Sequence, residues 1–129
     1  MKSIRGFVNI APMIKGRPRF GKGFAYTPTR TRNYEKALKA HLKSMMDQQG
    51  QAPFDGPISV EVYFKMKQPK KPSNPYPSGD IDNYVKAFLD AANEVLFLDD
   101  KQIVELVSTK AYTLHDCITG IVFHISEKA

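Results

Sequence analysis

Four of the aspartates in residues 79–102, together with Lys86, lie around the two ends of a segment whose spacing predicts a helix. Crowded carboxylates repel one another, so a fold gains nothing from collecting them unless a cation lies between them. The available donors are all oxygens, which favours Mg²⁺ or Mn²⁺ over Zn²⁺, an ion that prefers His and Cys. The sequence therefore predicts a divalent-metal site. The five residues are Asp80, Asp82, Lys86, Asp99 and Asp100.

The helix itself is predicted from an apolar stripe with three- and four-residue steps. Prolines and a glycine precede the stripe, so Asp80 or Asp82 is expected to be the N-cap. Asp82 and Lys86 lie one turn apart on a neighbouring polar face. Asp99 and Asp100 follow the helix, and a chain returning beside it would bring Asp100 near the first two aspartates. The stripe consists of Val85, Phe88, Leu89, Ala92, Val95 and Leu96.

Periodicity in the rest of the chain predicts four strands and one further helix, which precedes the helix of the aspartate segment. In the clearest strand, apolar and polar residues alternate strictly, whereas this earlier helix carries an apolar residue about every turn. The expected fold is a single α/β (α+β) domain over residues 1–129, with a mixed four-stranded sheet and two main helices. The predicted strands are 4–10, 58–67, 103–112 and 120–126, the first helix is 31–49, and predicted loops cover 16–23 and 68–79.

Positive charge is concentrated at the start of the chain. Residues 1–34 contain eight basic residues and no acidic one, whereas residues 35–129 contain 11 basic and 13 acidic residues. This asymmetry indicates a polyanionic partner, although a solvated basic surface is the alternative. Interleaved aromatic residues favour nucleic acid, because arginines meet phosphates and rings stack on bases. The residues predicted to contact DNA are Lys15, Arg17, Arg19, Lys22, Arg30, Arg32, Lys70 and Lys71.

Length and composition exclude several classes of protein. The chain of 129 residues suits one domain. It has no apolar run near the ~20 residues that a membrane-spanning helix needs, and its N-terminus lacks the apolar segment of a signal peptide. The single cysteine, Cys117, cannot form an internal disulfide, which fits a reducing compartment. We therefore expect a cytoplasmic protein with no membrane partner.

The most specific signal is a motif spread over residues 80–105. It reads Asp80-Ile-Asp82-Asn83-Tyr-Val-Lys86, then Asp90-Ala, then Asp99-Asp100-Lys-Gln102-Ile-Val-Glu105. This arrangement resembles the RusA family of Holliday-junction resolvases, small magnesium-dependent endonucleases of bacteria and their phages. The similarity spans nearly the whole chain, because the first part also looks like that family. Its matching stretches are Lys15-Gly-Arg17-Pro-Arg19-Phe20 and Tyr26-Thr-Pro28.

The resemblance implies a homodimer that resolves four-way DNA junctions by paired, symmetric nicks in recombination and repair. It implies that Asp80, Asp82 and Asp100 supply metal-binding carboxylates and that Lys86 is catalytic. In such an enzyme Mg²⁺, or Mn²⁺, neutralises phosphate oxygens and lowers the pKa of bound water. Lys86 has carboxylate neighbours that favour its charged form, so it is expected to stabilise charge or position water. Asp99 is the alternative third ligand.

Two other functions stay open. The first is a different metal-dependent nuclease, acting on flaps, single strands or RNA, which substrate preference would distinguish from a resolvase. The second is a non-catalytic nucleic-acid-binding module whose aspartates only cap and solvate a helix. Junction binding without metal-dependent cleavage would favour that module.

Overall fold

The alternating segment over residues 58–66 forms the central strand of a sheet. In a computed structural model of the chain, Val62 and Phe64 are buried on one face of this sheet. The alternate residues Glu61 and Tyr63 are exposed on the opposite face. The structure describes residues 1–14, 19–21, 24–26, 29–114 and 118–128. Its elements are β1 (Ser3–Val8), β2 (Arg19–Gly21), β3 (Phe24–Tyr26), α1 (Thr29–Gln48), β4 (Ile58–Met66), α2 (Ile81–Ala92), a 3₁₀ turn (Asp100–Gln102), β5 (Ile103–Tyr112) and β6 (Gly120–Glu127).

The main sheet has the strand order β1-β6-β4-β5. β4 and β5 are parallel, and α2 lies between them in the chain, while β6 runs antiparallel to both β1 and β4. This is the mixed four-stranded sheet with two main helices that the sequence predicts. β2 and β3 pair separately as a short antiparallel ladder. That ladder differs from the loop predicted over residues 16–23, since three-residue pairing requires no apolar periodicity.

One layer of helices covers one face of the sheet. Leu38 and Leu42 of α1 and Phe88 of α2 are fully buried, and the ring of Phe88 lies 5.7 Å from that of Phe123 in β6. Burying side chains of this size stabilises the fold by roughly 1.5–3 kcal/mol each. No helix in the described residues is both long enough and apolar enough to cross a membrane.

α2 ends earlier than its apolar stripe suggests. Its last helical residue is Ala92, and Glu94 then adopts φ +68°, a backbone conformation that few residues other than glycine favour. Val95 and Leu96 are nevertheless buried, because the turn after the helix returns them to the core. A stripe of buried residues therefore continues across a helix end, which periodicity alone does not reveal.

The buried phenol of Tyr34 makes the stability of the fold depend on pH in the alkaline range. Burial raises the pKa of Tyr34 from 10.0 to about 12, while a hydrogen bond with the Met13 backbone opposes that shift. The folded protein thus holds this proton more tightly than the unfolded chain, so the stabilisation is complete below pH 10 and is lost as pH rises towards 12. Across that interval the free energy of unfolding is expected to fall by about 2 kcal/mol.

Urea denaturation at pH 9 and pH 11.5 tests this expectation. Tyr34→Phe should lose about 2 kcal/mol less stability than the wild type between the two pH values. Tyr63→Phe, which alters an exposed tyrosine on the open sheet face, serves as the control. Equal losses in all three proteins would contradict the assignment.

Candidate metal and nucleic-acid site

Asp80 and Asp82 sit at the start of α2. Asp80 is the N-cap residue, with extended backbone angles (φ −79°, ψ 137°), and its side chain makes no capping hydrogen bond. Asp82 lies in the first turn, and both side chains are exposed. The positive end of the helix dipole favours carboxylates at these positions. Two acidic side chains two residues apart are thus held at a helix end with neither carboxylate committed to capping.

The turn that leads into Asp80 is held by side chains from two elements. Lys110 of β5 donates hydrogen bonds to the carbonyls of Pro77 (2.7 Å) and Gly79 (2.5 Å). The Tyr84 hydroxyl of α2 donates to the Ser78 carbonyl at 2.7 Å. Gly79 has φ +89°, a conformation that suits glycine. The direction in which the chain enters α2 therefore depends on β5 as well as on the helix.

Asp99 acts as a cap for the 3₁₀ turn. Its side chain accepts a hydrogen bond from the Lys101 amide at 2.9 Å, and the Gln102 side chain accepts one from the Asp99 amide at 2.7 Å. The bond from the Lys101 amide is the main reason why the pKa of Asp99 lies below its usual value. The Gln102 amide group also donates to the carbonyls of Phe54 and Gly56. Asp100 is exposed and follows this capped position.

Both helices begin at the same end of the sheet. Tyr34, near the start of α1, shares a hydrogen bond with the Met13 backbone, and it lies close enough to Tyr84, near the start of α2, for an ionised Tyr84 to raise its pKa. At the other end, Met46 of α1 and Val95 after α2 line one shallow pocket. We refer to the end with the helix N-termini as the Asp80 end and to the opposite one as the Asp100 end.

Within one chain, Asp99 and Asp100 lie at the other end of α2 from Asp80. Phe54 forms a β-bridge with Phe97 just past α2, and Gln102 is bonded to the Phe54 carbonyl, which anchors the 3₁₀ turn there. β5 then runs back until Lys110 reaches the turn before α2. A helix of 12 residues spans about 18 Å. Among the described residues, no group of three or more His, Cys, Asp or Glu side chains is placed to hold a metal ion.

Lys86 forms an ion pair with Asp90 rather than with Asp82. The Lys86 ammonium lies 3.4 Å from an Asp90 carboxylate oxygen, one turn further along α2. About a fifth of the Asp90 side chain is exposed, compared with more than half of Lys86. The ion pair therefore orients the Lys86 ammonium along the helix, while more than half of the Lys86 side chain stays exposed. The i, i+4 spacing of the two residues was visible in the sequence, but the choice of partner was not.

The predicted DNA-contacting residues are only partly within the described chain. Arg30 and Arg32 are exposed in the first turn of α1, at the Asp80 end. Lys70 and Lys71 are exposed in the loop between β4 and α2. Arg19 lies in β2. Lys15, Arg17 and Lys22 lie outside the described residues.

A groove of about 450 Å³ opens beside the turn that precedes Asp80. It runs between the segment after β1, the ends of β4 and β5 and the turn before α2. Its walls are mainly apolar, with Lys67 and the hydroxyl-bearing residues as polar groups. The lining residues are Ala11, Pro12, Met66, Lys67, Pro69, Pro77, Ser78, Tyr84, Tyr112 and Thr119.

The chain is similar to a known protein family and to a bacterial protein. A sequence model of the family described as "Endodeoxyribonuclease RusA" matches residues 9–123, most of the chain. An uncharacterized protein of Bacillus subtilis (strain 168), YqaN, is 29% identical over 128 aligned residues, which cover 88% of this chain and 90% of the Bacillus protein. The family match includes α2, both pairs of aspartates and the residues that hold the turn before Asp80.

Proposed function

The chain belongs to the RusA endodeoxyribonuclease family, and from that membership we propose that it is a magnesium-dependent nuclease that resolves four-way DNA junctions by paired, symmetric nicks. The observation that carries this proposal is a pair of exposed carboxylates at the start of α2. Asp80 is the N-cap residue but makes no capping hydrogen bond, and Asp82 follows it in the first turn. A purely structural N-terminus would use such a side chain to bind a free amide of the first turn. A pair held open to solvent suits a metal ligand better than a cap.

The donor set fits a hard divalent cation. Asp80, Asp82 and Asp100 offer exposed carboxylate oxygens, the ligand type that Mg²⁺ and Mn²⁺ prefer. The capping bonds of Asp99 favour Asp100 over Asp99 as the third ligand. When bound, the metal supplies neutralisation of phosphate oxygens and activation of water for attack on phosphorus.

The protein's own side chains supply charge and orientation around that centre. The Lys86 ammonium, steadied by Asp90, stabilises negative charge on the scissile phosphate. Arg30 and Arg32 hold neighbouring phosphates at the same end of the molecule, where their charge is matched to the polyanion. Lys70 and Lys71 extend the basic surface along the loop before α2.

The free edge of the sheet supports the proposal of a homodimer. β5 pairs with β4 on one side, and in the described chain no strand pairs with its other side. It is ten residues long, contains no proline, and exposes Val104, Leu106 and Val107. Long, apolar, unprotected edges are rare in monomers because they template pairing with another strand. We therefore infer that β5 pairs antiparallel with β5 of a second copy.

The same pairing would complete the metal site. In an antiparallel pair centred between Val107 and Ser108, Ile103 faces Tyr112 of the partner subunit. Asp100, three residues before Ile103, then approaches the partner's Asp80 end. Each of two sites would combine Asp80, Asp82 and Lys86 of one subunit with Asp100 of the partner subunit. Two sites related by a two-fold axis match the near two-fold symmetry of a four-way junction.

Cleavage of a labelled mobile four-way junction tests the proposed function. With Mg²⁺, the protein should produce two nicks at symmetry-related positions, and EDTA should abolish them. Matched duplex, flap and single-stranded DNA serve as controls. Preferential cutting of flaps or single strands would indicate a different nuclease, and junction binding without cleavage in Mg²⁺ or Mn²⁺ would indicate a binding module.

The single cysteine and the family's occurrence in bacteria and phages suit action in the bacterial cytoplasm. There the junctions formed during recombination and repair are the natural substrate of such an enzyme.

A further inference from the structure

Three consecutive backbone carbonyls precede Asp80, and each accepts a hydrogen bond from a side chain. Lys110 binds the first and third, those of Pro77 and Gly79, and Tyr84 binds the second, that of Ser78. Outside helices and strands, no backbone amide of the described chain donates to these carbonyls. The conformation of this turn is therefore set by the Lys110 ammonium and the Tyr84 hydroxyl.

Lys110 connects elements that are distant in sequence. It belongs to β5, 31 residues after Gly79, and its ammonium also lies 5.7 Å from the centre of the Tyr76 ring. Hydrogen bonds from a charged donor are roughly twice as strong as neutral ones, and here one ammonium makes two of them. The side chain thus ties the end of β5 to the residues immediately before the carboxylate pair.

Glycine at position 79 makes the turn dependent on these bonds. With φ +89°, Gly79 lies in a region where the backbone has few steric restraints of its own. A Cβ built at this position would approach Ile14 and Tyr84 to 3.1–3.2 Å, so the turn also passes close to both side chains. Loss of the carbonyl bonds would free the turn to adopt other conformations and to move Asp80.

We propose that Lys110 is a positioning residue for the metal site. Together with Tyr84, it orients the Pro77–Gly79 turn so that Asp80 and Asp82 present their carboxylates to one cation. The proposal rests on the proposed metal-dependent nuclease activity for its catalytic consequence, but not for the structural one. Lys110 contacts neither substrate nor metal in this account, and it acts through the backbone of the turn.

The decisive variant is Lys110→Met, which keeps most of the aliphatic stem and removes the donors. Hydrogen exchange at the Asn83 and Tyr84 amides, which donate to the Asp80 carbonyl, should accelerate by about tenfold, because loss of the bonds to a charged group loosens the turn that positions Asp80. Calorimetric titration with Mn²⁺ should show about tenfold weaker binding, the usual effect of disturbing groups that orient metal ligands. The Mg²⁺ concentration for half-maximal junction cleavage should rise by a similar factor, while junction binding in EDTA stays unchanged.

Lys65→Met is the matched control. It removes the same charge from the neighbouring strand β4, on the face of the sheet that the helices leave open. Lys110→Arg keeps the charge and several donors, so it should recover part of the Mn²⁺ affinity. Tyr84→Phe removes only the hydrogen bond to the Ser78 carbonyl. It should speed up hydrogen exchange and weaken Mn²⁺ binding, both by less than Lys110→Met does. This second variant keeps the test usable if Lys110→Met folds poorly.

The outcomes separate this proposal from the proposed function. The positioning role would be overturned if Lys110→Met and Tyr84→Phe showed the same hydrogen-exchange rates and the same Mn²⁺ affinity as Lys65→Met. A parallel loss of junction binding, thermal stability and cleavage, without a selective change in metal dependence, would show a general structural role instead. If the wild type binds Mn²⁺ but cuts no DNA, the nuclease assignment fails, and the exchange and affinity measurements still decide the role of Lys110.

Discussion

Asp82→Asn is expected to abolish junction cleavage while leaving junction binding intact or tighter. The substitution removes one of the carboxylates proposed to bind metal but keeps the size of the side chain and its place in the first turn of α2. Metal ions contribute several kcal/mol of charge stabilisation to phosphoryl chemistry, so cleavage should fall by roughly a thousandfold or more. Binding should survive because the lost negative charge had repelled the phosphate backbone.

The matched control for this variant is Asp47→Asn. Asp47 lies near the C-terminal end of α1, where it is exposed and paired with Lys43, at the Asp100 end of the molecule. Both variants change the net charge equally, so a general electrostatic effect on DNA binding appears in both. Cleavage and binding assays at one salt concentration, with an electrophoretic shift in EDTA for binding, measure the two effects separately. A loss of binding by Asp82→Asn that parallels its loss of cleavage would refute the metal-ligand role.

Mixing two inactive variants is expected to restore nicking if each site combines two subunits. In a heterodimer of Asp82→Asn and Asp100→Asn chains, one composite site carries both substitutions and the other carries neither. Random exchange of subunits makes half of the dimers mixed, so about one quarter of all sites should be active. Because only one site of each mixed dimer works, the product should be singly nicked junctions rather than resolved duplexes.

A site built within one chain predicts the opposite result, since every chain in the mixture then carries a damaged site. Subunits must exchange for the experiment to be informative, which co-expression with two different affinity tags ensures. Absence of nicking by purified, doubly tagged dimers would exclude the composite site.

The β5 edge can be tested in the same assay. Val107→Lys places like charges near the centre of the inferred strand pair and should produce monomers that bind metal weakly and do not cut. Val122→Lys adds the same charge to the open face of the sheet, on the interior strand β6, and should remain dimeric and active. Molar mass by light scattering reports the oligomeric state. Dissociation by Val122→Lys alone would place the dimer interface on the open face instead.

The extent of the elements could be predicted because their signals are local. Alternation over residues 58–67 predicts β4, observed as Ile58–Met66, to within one residue, and the helix over 31–49 is observed as Thr29–Gln48. The prediction of the second helix was less accurate at its end. Burial continues through Val95 and Leu96 after the backbone has left the helix, and a hydrophobic pattern reports burial rather than hydrogen bonding.

The relative positions of the site residues were easier to predict where the residues share an element. The Asp80–Lys86 motif lies on one helix end, and its spacing alone places Asp82 and Lys86 one turn apart. The ion-pair partner of Lys86 could not be predicted in this way. Asp82 and Asp90 are each four residues from Lys86, and only the side-chain conformation selects Asp90. Asp99 likewise resembled a ligand in the sequence, whereas the 3₁₀ turn uses it as a cap.

The sequence by itself determined the family of this protein and the groups that it offers for chemistry: several carboxylates, a lysine one turn from Asp82 and an excess of basic residues near the start of the chain. Only the tertiary structure decided where those groups lie relative to one another. The direction of β5 depends on sheet topology, and that direction carries Asp100 away from Asp80 within a chain while bringing Lys110 to the turn before it. Spacing along a chain constrains neighbours within a few turns, but contacts between residues 30 apart depend on how strands are ordered and directed.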